Sequence, residues 1–188
     1  MRARHRWKLQ MQVPQASDGA QPAGPWLTPR DRAHVQTLCR RWGLLEGSQP
    51  LIVICPGARS HIKRWTAEGF ARVADRLIQD DQAHVIFSGE PEEEPIVEEI
   101  LGLMDHQARS AVGLVTLRQL GVLMQRAALV ITNDSAALHL ASAVEVPTVA
   151  LLGPTDPDKY GPTVGRHRTI RRRLFCAPCE QPQCRFHH

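Results

Sequence analysis

The sequence predicts an α/β fold with a doubly wound parallel sheet, on three observations. Short apolar runs alternate with segments of helical period along most of the 188 residues, the pattern that builds βαβ units. The runs are continuously apolar, as expected when helices cover both faces of a sheet. Four of them end directly in polar or small residues, at the carboxyl ends of strands where open parallel sheets bind ligands.

Each element has its own signal. Residues 1 to about 28 are rich in Pro, Gly, Gln, Ala and Arg without a period, and are expected to form a disordered tail or linker. Thr28 followed by Pro29 opens a helix, with Val35, Leu38 and Trp42 on one face and Gly43 as its stop. Residues 51–55 read as a strand running into Pro56-Gly57. Thr66 is placed to cap a helix whose apolar face carries Phe70, Val73, Ala74 and Leu77. A second strand over 83–87 is closed by Ser88-Gly89, and a helix over 91–104 crowds its first turn with acids, as the helix dipole favours. A short third strand is expected at 111–113. Thr116 and Gln119 then form a capping box for a helix through Leu120, Leu123 and Met124. A fourth strand over 128–132, a helix over 135–144 and a fifth strand over 147–152 complete the series.

Composition narrows the function classes. With 43% hydrophobic and 22% charged residues, the chain has the profile of a soluble globular protein. No apolar run approaches the roughly 18 to 20 residues of a membrane span. Arg2, Arg4, Arg6 and Lys8 are followed by no apolar stretch, so no secretory signal is expected. The formal net charge is +4, gathered in the N-terminal segment and over 166–173. Such local clusters suit anionic ligands or a membrane surface better than a nucleic-acid track. At 5% aromatic residues, little is available for base stacking. Five cysteines, three of them near the C-terminus, do not make a secreted disulfide framework and indicate a reducing, cytoplasmic compartment.

Chemistry is expected in the four strand-exit loops. Gly57 allows close backbone approach, and Arg59, Ser60, Lys63 and Arg64 follow it, a combination suited to phosphate oxygens. A solvated loop with stray cations is the alternative, and the Walker spacing is absent. Asp134 and Ser135 stand where the fourth strand meets a helix; they either cap it or join its amides in binding an anion. The small residues Ala136, Ala137, Ala141, Ser142 and Ala143 let that helix pack closely on the sheet. His139, about one turn in, is either a ligand or a structural histidine. Acids after the second strand start a helix, and one of them could bind ribose hydroxyls. Cys176, Cys179 and Cys184, with His187, have spacing compatible with a small zinc site; free thiols are the first reading of them.

These residues resemble glycosyltransferase family 9, the lipopolysaccharide heptosyltransferases. The resemblance is carried by Pro56-Gly57-Ala58 with Lys63-Arg64-Trp65, by Thr132-Asn133-Asp134-Ser135 with His139-Leu140-Ala141, and by Gly153-Pro154-Thr155-Asp156-Pro157. The terminal cysteines resemble a tail common in the heptosyltransferase II branch. The resemblance covers about residues 26 to 186 and implies the C-terminal, Rossmann-like half of a GT-B enzyme. Its domain is expected over 29–175, with a Cys-rich tail over 176–188. It implies a metal-independent, inverting transfer without a cofactor, from ADP-L-glycero-D-manno-heptose to the lipopolysaccharide inner core. Lys63 would stabilise the leaving group, and Gly57, Arg59 and Ser60 would line the donor phosphates. Asp134, Ser135, Ala136, Ala137 and His139 would contact diphosphate and heptose, and Glu93 the ribose or adenosine. The family often has Gly where Ala136 stands, which adds a methyl group near the phosphates. The acceptor domain and its general base should lie N-terminal to this region, and residues 1–28 are too few to supply them. With the cysteine usage and charge pattern above, the expectation is a cytoplasmic protein, peripheral at the inner face of the inner membrane, with no nucleic-acid partner. The alternative is a degenerate or truncated nucleotide-binding α/β module with no transferase activity of its own.

Overall fold

A computed structural model describes residues 26–44, 49–162, 166–181 and 183–184. Six parallel strands lie in the order β3-β2-β1-β4-β5-β6, the doubly wound Rossmann order that reverses direction between β1 and β4. They are β1 (Leu51–Cys55), β2 (His84–Phe87), β3 (Arg109–Ser110), β4 (Leu129–Asn133), β5 (Thr148–Leu151) and β6 (His167–Ile170). The helices are α1 (Pro29–Arg41), α2 (Ala67–Asp81), α3 (Glu94–Leu103), α4 (Leu117–Gln125), α5 (Ala136–Ala143) and the single turn α6 (Pro157–Tyr160).

The alternation of side chains along β1 shows why its residues are continuously apolar. Val53 and Cys55 enter a core formed with α1, α4 and α5, while Ile52 and Ile54 enter a second core with Phe70, Ala74, Val97 and Ile100 of α2 and α3. Both faces are therefore covered, and no position on the strand can be polar without a partner. Phe70 and Phe87 are fully buried, and burial of such a side chain is worth about 2–3 kcal/mol. The expected caps form: Thr66 Oγ accepts from the Gly69 amide, and Thr116 and Gln119 make a reciprocal capping box. Thr28 and Asp31 do the same at α1.

Four expectations are corrected. Leu27 is buried in the core and Trp26 lies against Gly121, so the ordered domain takes in residues 26–28; the remainder of the expected tail, 1–25, lies outside the described residues. The third strand pairs at Arg109 and Ser110 rather than 111–113. Ala111 still donates to the Phe87 carbonyl at 2.8 Å, but Gly113, at φ +69°, turns the chain out of the extended conformation. The helix expected over 91–104 opens as a 3₁₀ turn over Pro91–Glu93 before α3 begins. Finally, β6 was not anticipated. It is exposed throughout and reads in sequence as part of a cationic run, which is how edge strands are kept from pairing with other chains.

The segment after β6 returns to the sheet's carboxyl edge. The amides of Cys179 and Glu180 both donate to the Pro154 carbonyl at 3.0 Å, and Lys159 pairs with Glu180 at 3.0 Å. The Cys-rich stretch is thus fastened to the loop that leaves β5. No helix among the described residues is long and apolar enough to cross a membrane.

Candidate functional site

The strand order sets the exit of β1 beside the exit of β4, at the point where the sheet changes winding direction. Two consecutive residues at the end of β4 hold the β1 loop in place. Asn133, fully buried, donates from Nδ2 to the Pro56 carbonyl at 2.6 Å and accepts the Trp65 amide on Oδ1 at 3.1 Å. One side chain thereby pins both ends of the loop that carries Gly57, Arg59, Ser60 and Lys63. Asp134 then takes the Lys63 ammonium at 2.7 Å on Oδ2, and Thr155 Oγ donates to the same oxygen. Asp134 is 7% exposed and Lys63 33%, so the pair lies at a boundary between core and solvent. There a charge-assisted contact is stronger than on an open surface.

Further contacts close the ring of loops. Arg64 Nε donates to the Ala58 carbonyl at 2.9 Å. A Cβ on Gly153 would stand 2.8 Å from the Ile62 carbonyl, so the β5 exit lies directly against the turn bearing Lys63. Trp65 covers the first turn of α2, its ring edge-on to Phe70 with centroids 5.1 Å apart. On the other side of β1, the Glu93 carboxylate occupies the space a side chain at Gly57 would need: a Cβ there would fall 1.7 Å from Oε1. A Cβ at Gly89 would be 2.6 Å from Oε2, and Oε2 accepts the Glu90 amide at 3.0 Å. Two backbone gaps therefore seat one carboxylate beside the loop after β1.

The expected site residues fall out as follows. Lys63, Asp134, Gly57 and Glu93 are brought to neighbouring positions at one end of the sheet. Ser135 is the N-cap of α5; its side chain does not cap, and its hydroxyl lies 3.3 Å from that of Thr132. Ala136 and Ala137 form the first turn of α5, Ala136 exposed and Ala137 half-buried. Ser60 is half-buried, while Arg59 and His139 are exposed and enter none of the hydrogen bonds above. Cys55, at the end of β1, has its thiol pushed up to about 12 by burial, with the nearby Glu93 charge adding to the effect; it is no nucleophile at neutral pH. Cys176 and Cys179 are half-buried free thiols. Among the described residues no group of three or more His, Cys, Asp or Glu is arranged to hold a metal, and His187 lies outside them. A hollow lined by Trp42, Ile78, His84 and Arg109 lies at the amino ends of the strands, away from these loops.

Two residues of the site, Asn133 and Thr155, lie in the motifs read from sequence but carry no assigned role there. A signal existed for Asn133. A polar side chain closing a strand covered on both faces must find partners, and the nearest free backbone groups are those of the adjoining loop.

Comparison with known proteins agrees with this geometry. The model of glycosyltransferase family 9 (heptosyltransferase) matches residues 3–188. Lipooligosaccharide heptosyltransferase 2 of Haemophilus influenzae is 34% identical over 155 residues, covering 79% of this chain and 44% of that protein. Lipopolysaccharide heptosyltransferase 2 of Escherichia coli K12 is 34% identical over 131 residues, 68% of this chain and 38% of that one. Among solved structures, the family 9 glycosyl transferase of Veillonella parvula superposes with a TM-score of 0.73 at 32% identity, over 78% of this chain and 41% of that chain. The Escherichia coli ADP-heptose lps heptosyltransferase II does so with a TM-score of 0.69 at 28% identity, over 80% and 45%. The chain spans less than half the length of each of these relatives. A Rossmann-ordered sheet, a lysine–carboxylate pair at its switch point and a family match along nearly its whole length lead to one conclusion: this chain belongs to glycosyltransferase family 9, the heptosyltransferases.

Proposed function

We propose that this chain is the donor-binding half of a heptosyltransferase, taking ADP-L-glycero-D-manno-heptose as donor for the lipopolysaccharide inner core. The observation that carries the reading is the Lys63 ammonium held by Asp134 at 2.7 Å, one residue before the N-cap of α5. An ammonium has three donors, so pairing with Asp134 leaves two for phosphate oxygens. The first amides of α5, at Ala136 and Ala137, add the positive end of a helix. Glu93, seated beside Gly57, would take the ribose hydroxyls, with Arg59, Ser60 and His139 serving diphosphate and heptose.

In the transfer, an acceptor hydroxyl oxygen forms a bond to the anomeric carbon while the bond from that carbon to the diphosphate oxygen breaks. ADP departs with the electron pair, and the acceptor's proton passes to a general base. Lys63 and the α5 amides take up the charge growing on the diphosphate, the interaction that strengthens in the transition state. Acceptor binding and the base are assigned to a second domain, such as the length that the Haemophilus influenzae relative carries outside the match. On this reading the reaction runs at the cytoplasmic face of the membrane. The exposed edge strand β6 and its flanks, with Arg166, Arg168, Arg172 and Arg173, offer a cationic surface to anionic headgroups.

Calorimetric titration with ADP, UDP and GDP tests the reading. ADP should bind in preference to the other two, and Lys63→Ala should weaken it at least tenfold, the loss of one charge-assisted contact. Absence of ADP binding, or unchanged binding in Lys63→Ala, overturns it. ADP binding without heptose transfer, even when an acceptor domain is supplied, would identify a nucleotide-binding module instead.

A further inference from the structure

We infer that Thr155 is a positioning residue of the donor site, its hydroxyl orienting Asp134 and, through Asp134, the Lys63 ammonium that meets the diphosphate. The inference rests on the donor-site reading above. Thr155 is buried in the loop after β5. Its Oγ donates to Asp134 Oδ2, the same oxygen that receives Lys63 Nζ at 2.7 Å. The torsion that turns a carboxylate about its Cβ–Cγ bond is soft and roughly two-fold. With a single cationic partner on a long flexible stem, Asp134 and Lys63 would turn together; a second, rigidly placed donor on Oδ2 stops that rotation.

The loop bearing Thr155 is itself held from two directions. Gly153 lies against the Ile62 carbonyl, where a Cβ would be 2.8 Å away. The Pro154 carbonyl accepts two amides, from Cys179 and Glu180, each at 3.0 Å. The hydroxyl therefore acts from a braced backbone, and the turn carrying Lys63 is fitted to that same backbone. The hydroxyl has an electrostatic part as well. A diphosphate brings negative charge toward a buried carboxylate, and Asp134 tolerates this because Thr155 and Lys63 both donate to the oxygen they share. Removing the hydroxyl leaves that oxygen under-satisfied, draws the ammonium onto it and away from the phosphates, and frees the carboxylate to rotate.

The test uses the 188-residue chain and the substitutions Thr155→Val, which keeps the shape and removes the hydroxyl, and Thr155→Ser, which keeps the hydroxyl. Thr155→Ala stands in should the valine variant fail to fold by circular dichroism. ADP affinity is measured by calorimetry and adenosine affinity by NMR titration, in the wild-type and in the Lys63→Ala background. We expect about tenfold weaker ADP binding in Thr155→Val, the worth of a hydrogen bond to a charged group. Thr155→Ser should stay within about twofold of wild type and adenosine affinity should be equal in all variants. In the Lys63→Ala background the valine substitution should have less than about a twofold effect, because the two residues act in series. Wild-type ADP affinity in Thr155→Val, parallel loss of ADP and adenosine, or full additivity with Lys63→Ala each overturns the inference. If Lys63→Ala weakens ADP and Thr155→Val does not, this inference alone falls. If the wild-type chain does not bind ADP, the donor reading falls and takes this one with it.

Discussion

Replacing Asn133 by Asp changes one atom, a donor NH₂ for an acceptor oxygen, at the residue that pins both ends of the β1 loop. The Trp65 amide keeps its acceptor, since either carboxylate oxygen can serve at the 3.1 Å position. The contact to Pro56 is lost: two oxygens now face each other where Nδ2 stood 2.6 Å from the carbonyl. The orphaned, buried Pro56 carbonyl costs about 1–3 kcal/mol. Asn133 has no exposed surface, so a carboxylate there adds a desolvation cost on the order of 1–2 kcal/mol, held to that size because a buried carboxylate can take up a proton instead of keeping its full charge. Together the change destabilises the fold by about 2–5 kcal/mol, a large share of the 5–15 kcal/mol that holds a typical domain. In a chain of this length that lowers the thermal midpoint on the order of 10 °C. Urea denaturation followed by circular dichroism measures it directly. A loss under about 1 kcal/mol with unchanged slope would refute the account of Asn133 as the clamp of this loop.

Three further outcomes are expected. Gly57→Ala puts a methyl group where Glu93 Oε1 lies; the obstacle is the far end of a flexible side chain, so stability should fall by less than about 1 kcal/mol. ADP affinity should drop to the level of Glu93→Ala and no further in the double variant, which calorimetry checks. The Cys55 thiol, raised from 9.0 to about 12 in the folded state, favours folding fully below pH 9 and progressively less as pH rises from 9 toward 12, because only the unfolded chain ionises there. Denaturation at pH 8 and pH 10.5 should show that loss, and Cys55→Ala should abolish that part of the pH dependence. Thiol reagents at pH 8 should label Cys176 and Cys179 while leaving Cys55 untouched until the chain unfolds.

The local order was legible because its causes are local. Thr66, Thr116 and Gln119 cap helices through groups three residues away, and a cap can be read from spacing alone. The runs in β1, β2, β4 and β5 were legible because burial on both faces demands continuous apolar residues. Edge strand β6 escaped notice for the converse reason: His167–Ile170 are exposed, so no hydrophobic period marks them. Leu27 was hidden by its Pro- and Gly-rich neighbours, although it fills a place in the core beside α1. In the site, Gly57, Lys63 and Asp134 stood out because residue types suited to phosphate cluster in two loops. The roles of Thr155 and Asn133 were not legible although both lie in the motifs, since a Thr or Asn near a turn has an ordinary explanation in turn chemistry.

By itself the amino-acid order determined a helix-covered parallel sheet, the places where its helices begin, and the family to which its loop motifs belong. All of these depend on contacts a few residues long or on whether a position is wet or dry. The tertiary structure alone decided which loops meet. Asn133 reaches 77 residues back to Pro56 and Glu93 settles against Gly57 because β1 lies between β2 and β4, and Thr155 reaches 21 back to Asp134 because β5 lies beside β4. Hydrophobic period reports that a strand is buried; it carries no information about which strand lies beside it, and the candidate site is made of that adjacency.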